Sequence, residues 1–267
     1  MFEQIVLGAI QGITEWVPVS SKACVIAAKV HLFHDTGSLN DLINYALLLH
    51  LGTFFAAVVY FRDDIKSICT SAFTPGTPDN DGRKVLIFLI ITTALTALGQ
   101  LLINQVSALA HTAPQAKTLI TCLTAVLLIT AGFLQLRTTS AGKRTPKDLS
   151  LLDGILLGLT QAVATLPGLS RAGTTMAILS LRGFDKENML KLSFLMSLPV
   201  ILLGNIIKNY KAIFSFGPQW LGILVAFIVG MLSIQTLMAF ARRVNFGAFL
   251  IFIGSILAVA VAVGFID

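Results

Sequence analysis

Six predominantly apolar runs, at roughly 41–60, 84–104, 117–136, 189–208, 219–240 and 246–266, limit what this chain can fold into. A helix needs about 20 apolar residues to cross the hydrocarbon of a bilayer, and each run has that length. Lipid offers no partner for a bare N–H or C=O, so only helices and closed barrels span it. Barrel strands are about half as long as these runs and alternate in polarity, so the runs are helical. Composition agrees. Only 12% of residues are charged, where a soluble domain carries about 25%. Mean hydropathy is +0.85. The sequence predicts an all-α polytopic membrane protein. The net charge of +6 does not mark a nucleic-acid partner, because most Lys and Arg sit in short loops between apolar runs, as the positive-inside rule produces. Cys24, Cys69 and Cys122 have no paired spacing, so neither a disulfide frame nor a zinc site is expected. No basic stretch followed by a small-residue cleavage site opens the chain, so no removable signal peptide is expected.

Two further apolar regions are too short to cross. Residues 2–13 and 23–33 flank "TEWVPVSSKA", and residues 150–165 and 173–181 flank "TLPGLSRAG". A short helix, a polar break and a second short helix predict a re-entrant hairpin, at 2–33 and again at 150–181. The two regions resemble each other. "LGAIQGITEWVPVSSK" begins at Leu7 and "LGLTQAVATLPGLSR" at Leu157, so Gly8 and Gln11 match Gly158 and Gln161. With a one-residue gap, Pro18, Ser21 and Lys22 match Pro167, Ser170 and Arg171. Three long runs follow each copy. An odd number of crossings per half predicts an inverted-topology repeat of two units, 1–140 and 141–267, with six transmembrane helices and two re-entrant hairpins in one membrane domain. Placing Arg62, Lys66, Arg83, Lys84, Arg137, Lys143, Arg144, Lys147, Arg182, Lys186, Lys191, Arg242 and Arg243 in the cytoplasm puts both termini outside.

The two tips offer Gln11, Glu15, Ser20, Ser21, Lys22, Ser170, Arg171, Thr174 and Thr175. A helix follows each tip, so backbone N–H groups and a positive dipole end point at the break. With hydroxyls, one Lys and one Arg, this is an anion site suited to phosphate, which Arg171 can grip with two N–H groups. Glu15 is the single carboxylate, and Gln11 lies one turn before it on the same helix face. The pair suits a hard cation, Mg²⁺ or Ca²⁺, shared with phosphate oxygens. Equally, Glu15 can simply pair with Lys22 or Arg171 and tie the tips together. Ser21 is the candidate nucleophile, with helix capping as its alternative job. Cys24, one turn later, is either an activated thiol or packing. His50, inside the first long run, is either an acid/base group or a link to a neighbouring helix.

The motifs carry a resemblance over nearly the whole chain. "QGITEWVPVSS", Gln11 to Ser21, and "PGLSRAGTT", Pro167 to Thr175, resemble the two signature motifs of the undecaprenyl-diphosphate phosphatase family, also called the bacitracin-resistance protein family. The resemblance implies a cell-membrane enzyme, a dimer, that removes the terminal phosphate of a polyprenyl diphosphate and returns the monophosphate carrier to envelope glycan synthesis. Its site would open to the outer face and use a divalent cation. By motif position Gln11 and Glu15 would handle metal or protons, and Ser20, Ser21, Ser170, Arg171 and Thr175 would hold the diphosphate. Three positions depart from the pattern. Cys24 stands where the family has a histidine, Lys22 where it has a small residue, and Ala172 where it has a serine. Either Ser21 works with Glu15 alone, or His50 or Cys24 substitutes, or hydrolysis is lost. In that last case the alternative is a polyprenyl-phosphate transporter or flippase, an activity for which broken helices and inverted repeats are suited.

Overall fold

A computed structural model describes residues 1–73, 81–109, 122, 125–133, 136, 142–165, 169–215, 217–243 and 245–263. Among these the fold is all-helical, with one isolated bridge between Arg144 and Phe184. In chain order the helices are α1 (Phe2–Thr14), α2 (Ser21–His31), α3 (Leu39–Tyr60), α4 (Arg62–Phe73), α5 (Asp81–Leu109), α6 (residues 125–133) and α7 (Leu151–Val163). They continue as α8 (Arg171–Leu181), α9 (Lys186–Leu195), α10 (Ser197–Phe214), α11 (Gln219–Arg243) and α12 (Phe246–Ala262).

Four segments among the described residues are long and apolar enough to cross a membrane: Leu39–Tyr60, Asp81–Ile103, Lys186–Phe214 and Gln219–Phe240. The run at 246–266 gives a helix of 17 residues, and most of 117–136 lies outside the described residues. The run at 189–208 is not one straight helix. It divides at Met196 into α9 and α10. Pro199 lies in the first turn of α10, where it has no N–H to continue the ladder from α9.

The two short-helix regions fold as hairpins. In the first, Lys29 near the end of α2 pairs with Glu3 at the start of α1 at 3.2 Å. In the second, Arg182 just after α8 pairs with Asp153 at the start of α7 at 2.7 Å. Their open ends lie at opposite ends of the bundle. α1 runs alongside α3 in the same direction, with Gln4 bonded to Tyr45 and Gln11 to Thr53. α7 runs alongside α5, with Gly154 against Ile91 and Gly158 against Leu95. The α3–α4–α5 connection lies at the end where Lys191 donates to Asp64 at 2.6 Å and Arg144 binds Asp153 at 2.6 Å. Lysines and arginines from several connections therefore meet at one end of the bundle.

Each hairpin packs into the other half of the chain, α1 along α11 and α7 along α5. The α1–α11 contact depends on small residues. A Cβ on Gly8 would lie 2.4 Å from the Gly222 carbonyl oxygen, and one on Gly12 would lie 2.9 Å from the Gly230 backbone nitrogen. Only glycine lets these backbones approach so closely, as in other membrane helix pairs. Trp16 locks the first tip in place. It is fully buried, its indole N–H donates to the Gly230 carbonyl at 3.1 Å, and its ring meets Phe194 at 4.9 Å between centroids.

Candidate active site

Both tips open onto one cavity. Its first-half wall carries Glu15, Ser20, Ser21, Lys22 and His50, and its second-half wall carries Gln161, Thr165, Arg171 and Ser197. The local sequence explains how the tips are formed. Pro18 cannot donate within a helix and disfavours helical geometry at Val17, so α1 stops. Ser20 restarts the chain as an N-cap, its hydroxyl accepting from the Ala23 N–H at 3.4 Å. Ser170 does the same for α8, accepting from the Gly173 N–H at 3.0 Å. These caps set Ser21 and Arg171, the first helical residue after each break, at the cavity.

Glu15 is the hub. Its Oε1 pairs with the Arg171 guanidinium across the two hairpins. Its Oε2 accepts from the Ser21 hydroxyl at 2.7 Å and from Gln11 Nε2 at 2.8 Å, and it lies 3.1 Å from His50 Nε2. His50 Nε2 is also 3.3 Å from Ser21 Oγ. At the far side of the ring, Nδ1 lies 2.7 Å from the Ala46 carbonyl. A carbonyl only accepts, so Nδ1 carries a proton and donates it there. Nε2 is thereby left to exchange a proton with Glu15 and Ser21. The result is a hydroxyl within reach of a base that a third group orients, the arrangement of an activated nucleophile.

Arg171 also donates to the Ser193 carbonyl at 3.2 Å. A guanidinium has five N–H donors, so this and the Glu15 pair leave donors for an anion in the cavity. Among the described residues, the Lys22 side chain makes no hydrogen bond or ion pair, and its charge is available to the same anion.

The sequence named more residues than the cavity displays. Ser170, Thr174 and Thr175, expected to hold phosphate, do not line it. The Thr174 hydroxyl donates to the Ser170 carbonyl at 3.0 Å. The Thr175 hydroxyl lies 2.8 Å from the Arg171 carbonyl and 2.7 Å from Ser193 Oγ, so it braces the turn that carries Arg171. Cys24 does not line the cavity either, whereas His50 does. The histidine at the cavity is thus on α3, not at position 24 on α2.

Gln11 and Glu15 do not fit a resident cation. The carboxylate already accepts from Arg171 on Oε1 and from Ser21 and Gln11 on Oε2, with His50 against the same Oε2. A metal there would lie against the Arg171 guanidinium and compete with it for the carboxylate. Among the described residues, Gln11 adds one buried, unpartnered amide oxygen, a single neutral ligand away from the cavity lining. Among the described residues, no group of three His, Cys, Asp or Glu side chains could hold a metal ion. Sequence reasoning missed Gln161, Thr165 and Ser197 on the second-half wall. Gln161 was visible as the match of Gln11, and Thr165 as the residue at the repeat position of Glu15; Ser197 carries no motif signal.

This geometry, with its cationic grip and its hydroxyl poised beside a base, is that of a phosphoryl-handling membrane protein, and comparison with known proteins agrees. The family described as Bacitracin resistance protein BacA matches residues 4–260. Curated proteins named undecaprenyl-diphosphatase are similar along nearly the full length. The one from Methanococcoides burtonii is 34% identical over 262 residues, 94% of this chain and 95% of its own. The one from Haloarcula marismortui is 35% identical over 251 residues, 91% of each chain. Undecaprenyl-diphosphatase 1 of Shouchella clausii is 34% identical over 211 residues, 78% of this chain and 73% of its own. The chain belongs to the bacitracin resistance protein BacA family.

Proposed function

We propose that this protein is an integral-membrane undecaprenyl-diphosphatase, which hydrolyses the terminal phosphate of the lipid diphosphate and leaves the monophosphate carrier for envelope glycan synthesis. The observation that carries this reading is the Ser21–Glu15–His50 cluster beside Arg171 in one cavity. The relatives' printed names agree with it.

The terminal phosphate sits between Arg171 and the Lys22 ammonium, which neutralise its oxygens. Phosphoryl transfer asks for little more than such positioning and charge. Ser21 Oγ attacks the terminal phosphorus, and its proton passes to the Glu15–His50 pair. A P–Oγ bond forms, the bond to the bridging oxygen breaks, and the prenyl monophosphate leaves. Water then attacks the phosphoserine and releases phosphate, and Oγ recovers the proton. Buried Gln11 holds Glu15 in register, while Ser170, Thr174 and Thr175 position Arg171 from behind.

The surrounding architecture is an inverted repeat of two halves, 1–140 and 141–267, with re-entrant hairpins at 2–33 and 150–181. Three observations support it: the hairpins open at opposite ends, α1 packs on α11 as α7 packs on α5, and matched glutamines and capping serines recur in both halves. The end where the basic connections meet faces the cytoplasm, and the site opens toward the outer face of the cell membrane. The prenyl chain lies among the helices, and the protein forms a dimer.

Phosphate release by purified protein in detergent tests the reading, since hydrolysis needs no second compartment and transport does. The expected result is release from undecaprenyl diphosphate by the native chain, with a loss of about 10²-fold or more in Arg171→Ala. Lipid binding without release would overturn it in favour of a carrier or flippase, which hairpins entering from opposite ends also suit.

A further inference from the structure

The side chains around the cavity carry more positive charge than negative. Glu15 is the single carboxylate in its lining among the described residues, and Arg171 pairs with it. Lys22 lines the same cavity and forms no ion pair among the described residues. Lys208, exposed on α10, stands near enough for its charge to oppose that of Lys22, and it forms no ion pair among the described residues either. Like charges held near each other are unfavourable, and an anion beside them relieves the repulsion.

Lys22 is also placed beside the reacting group. It follows Ser21 in the first turn of α2, which Ser20 caps. Ser21 meets Glu15 at 2.7 Å, and Lys22 reaches the cavity from the same turn. The first N–H groups of a helix have no partner within it, so this turn adds its own positive end. The ammonium brings three N–H donors on a flexible stem. A diphosphate in line with Ser21 Oγ therefore has these donors next to it. A divalent cation on that diphosphate would need oxygen ligands from the protein, carboxylates above all. The single carboxylate here is held by Arg171, Ser21 and Gln11.

We propose that Lys22 takes the part a metal ion would play, so that this protein binds and cleaves the diphosphate with no divalent cation. The hydrolytic half of this rests on the phosphatase reading above. As Ser21 Oγ bonds to the terminal phosphorus, the bond to the bridging oxygen breaks and its electron pair stays on that oxygen. Lys22 donates hydrogen bonds to the departing oxygen and keeps its proton, because a phosphate monoester leaves as an anion. The Ser21 proton goes to the Glu15–His50 pair.

Two measurements on the full chain in detergent test this, each made in excess EDTA and again with Mg²⁺, Ca²⁺ or Mn²⁺. One is calorimetric binding of a methylene-bridged prenyl bisphosphonate, which cannot be hydrolysed. The other is phosphate release from undecaprenyl diphosphate. The native chain is expected to bind and to turn over as well in EDTA as with any of the cations. Lys22→Met is expected to weaken binding in EDTA by about tenfold or more, the worth of a hydrogen bond to a charged group. Release should fall by about 10²-fold in the same variant. Lys22→Arg keeps the charge and should keep most of the binding. Neither change removes a hydrogen bond from the folded protein among the described residues, so the fold should survive both. Binding or release that EDTA abolishes and a cation restores would overturn the proposal and leave the phosphatase standing. Metal-free binding that Lys22→Met leaves unchanged would overturn it too. From a native chain that releases no phosphate under any condition, EDTA-resistant binding that needs Lys22 would uphold the metal-free site while sinking the phosphatase.

Discussion

At the scale of single residues, the site depends on one carboxylate whose surroundings come from three elements. Glu15 meets Ser21 on α2, His50 on α3 and Arg171 on α8. Removing one partner of a buried ion pair leaves the other uncompensated, at a cost of about 3–5 kcal/mol. Arg171→Met should therefore lower the thermal denaturation midpoint in detergent sharply. Glu15→Gln combined with Arg171→Met should cost well below the sum of the two single changes. Simple additivity would mean that the pair is not coupled. Much of this was legible in the sequence, because Glu15, Ser21 and Arg171 sit in motifs with matched spacing. The choice between Cys24 and His50 was not. Position 24 is one turn from Ser21, whereas position 50 is brought to it only by the tertiary packing of α3 against the hairpin. The jobs of Ser170, Thr174 and Thr175 were hidden for a similar reason, since a hydroxyl's hydrogen-bond partner is not encoded in spacing.

At the scale of elements, the short helices fell close to where hydropathy put them. Residues 2–13 and 23–33 became Phe2–Thr14 and Ser21–His31, and residues 150–165 and 173–181 became Leu151–Val163 and Arg171–Leu181. Proline and serine fix these boundaries, and both act within a few residues of themselves. The break at Met196 escaped because the apolar run continues through it, although Pro199 marks it. The glycines of α1 matter for a contact in the opposite half. With Gly12 against the Gly230 backbone nitrogen, Gly12→Val would force α1 off α11 and displace Trp16, which bonds to the carbonyl of that glycine. The expected cost is about 1–3 kcal/mol of stability, with tip geometry and hydrolysis lost together. Thermal denaturation and phosphate release measured on one preparation check this. Native stability in that variant would show that the close approach is dispensable.

At the scale of the whole molecule, neither half owns the site. Ser21, Glu15 and His50, the proposed nucleophile and its acid/base pair, come from the first half, and the Arg171 guanidinium comes from the second, delivered by hairpins that each pack into the other half. The proposed mechanism therefore takes its histidine from α3 and not from the helix after the first tip. Any helix passing Ser21 and Glu15 can present an imidazole, and α3 passes both. Phosphate release from undecaprenyl diphosphate by His50→Ala, set beside Cys24→Ala and the native chain in detergent, tests this most directly. The account predicts a loss of about 10²–10⁴-fold in His50→Ala, the usual worth of a positioned acid/base group, and near-native release in Cys24→Ala. Native release from His50→Ala with loss in Cys24→Ala would contradict it and return the catalytic role to the helix after the first tip.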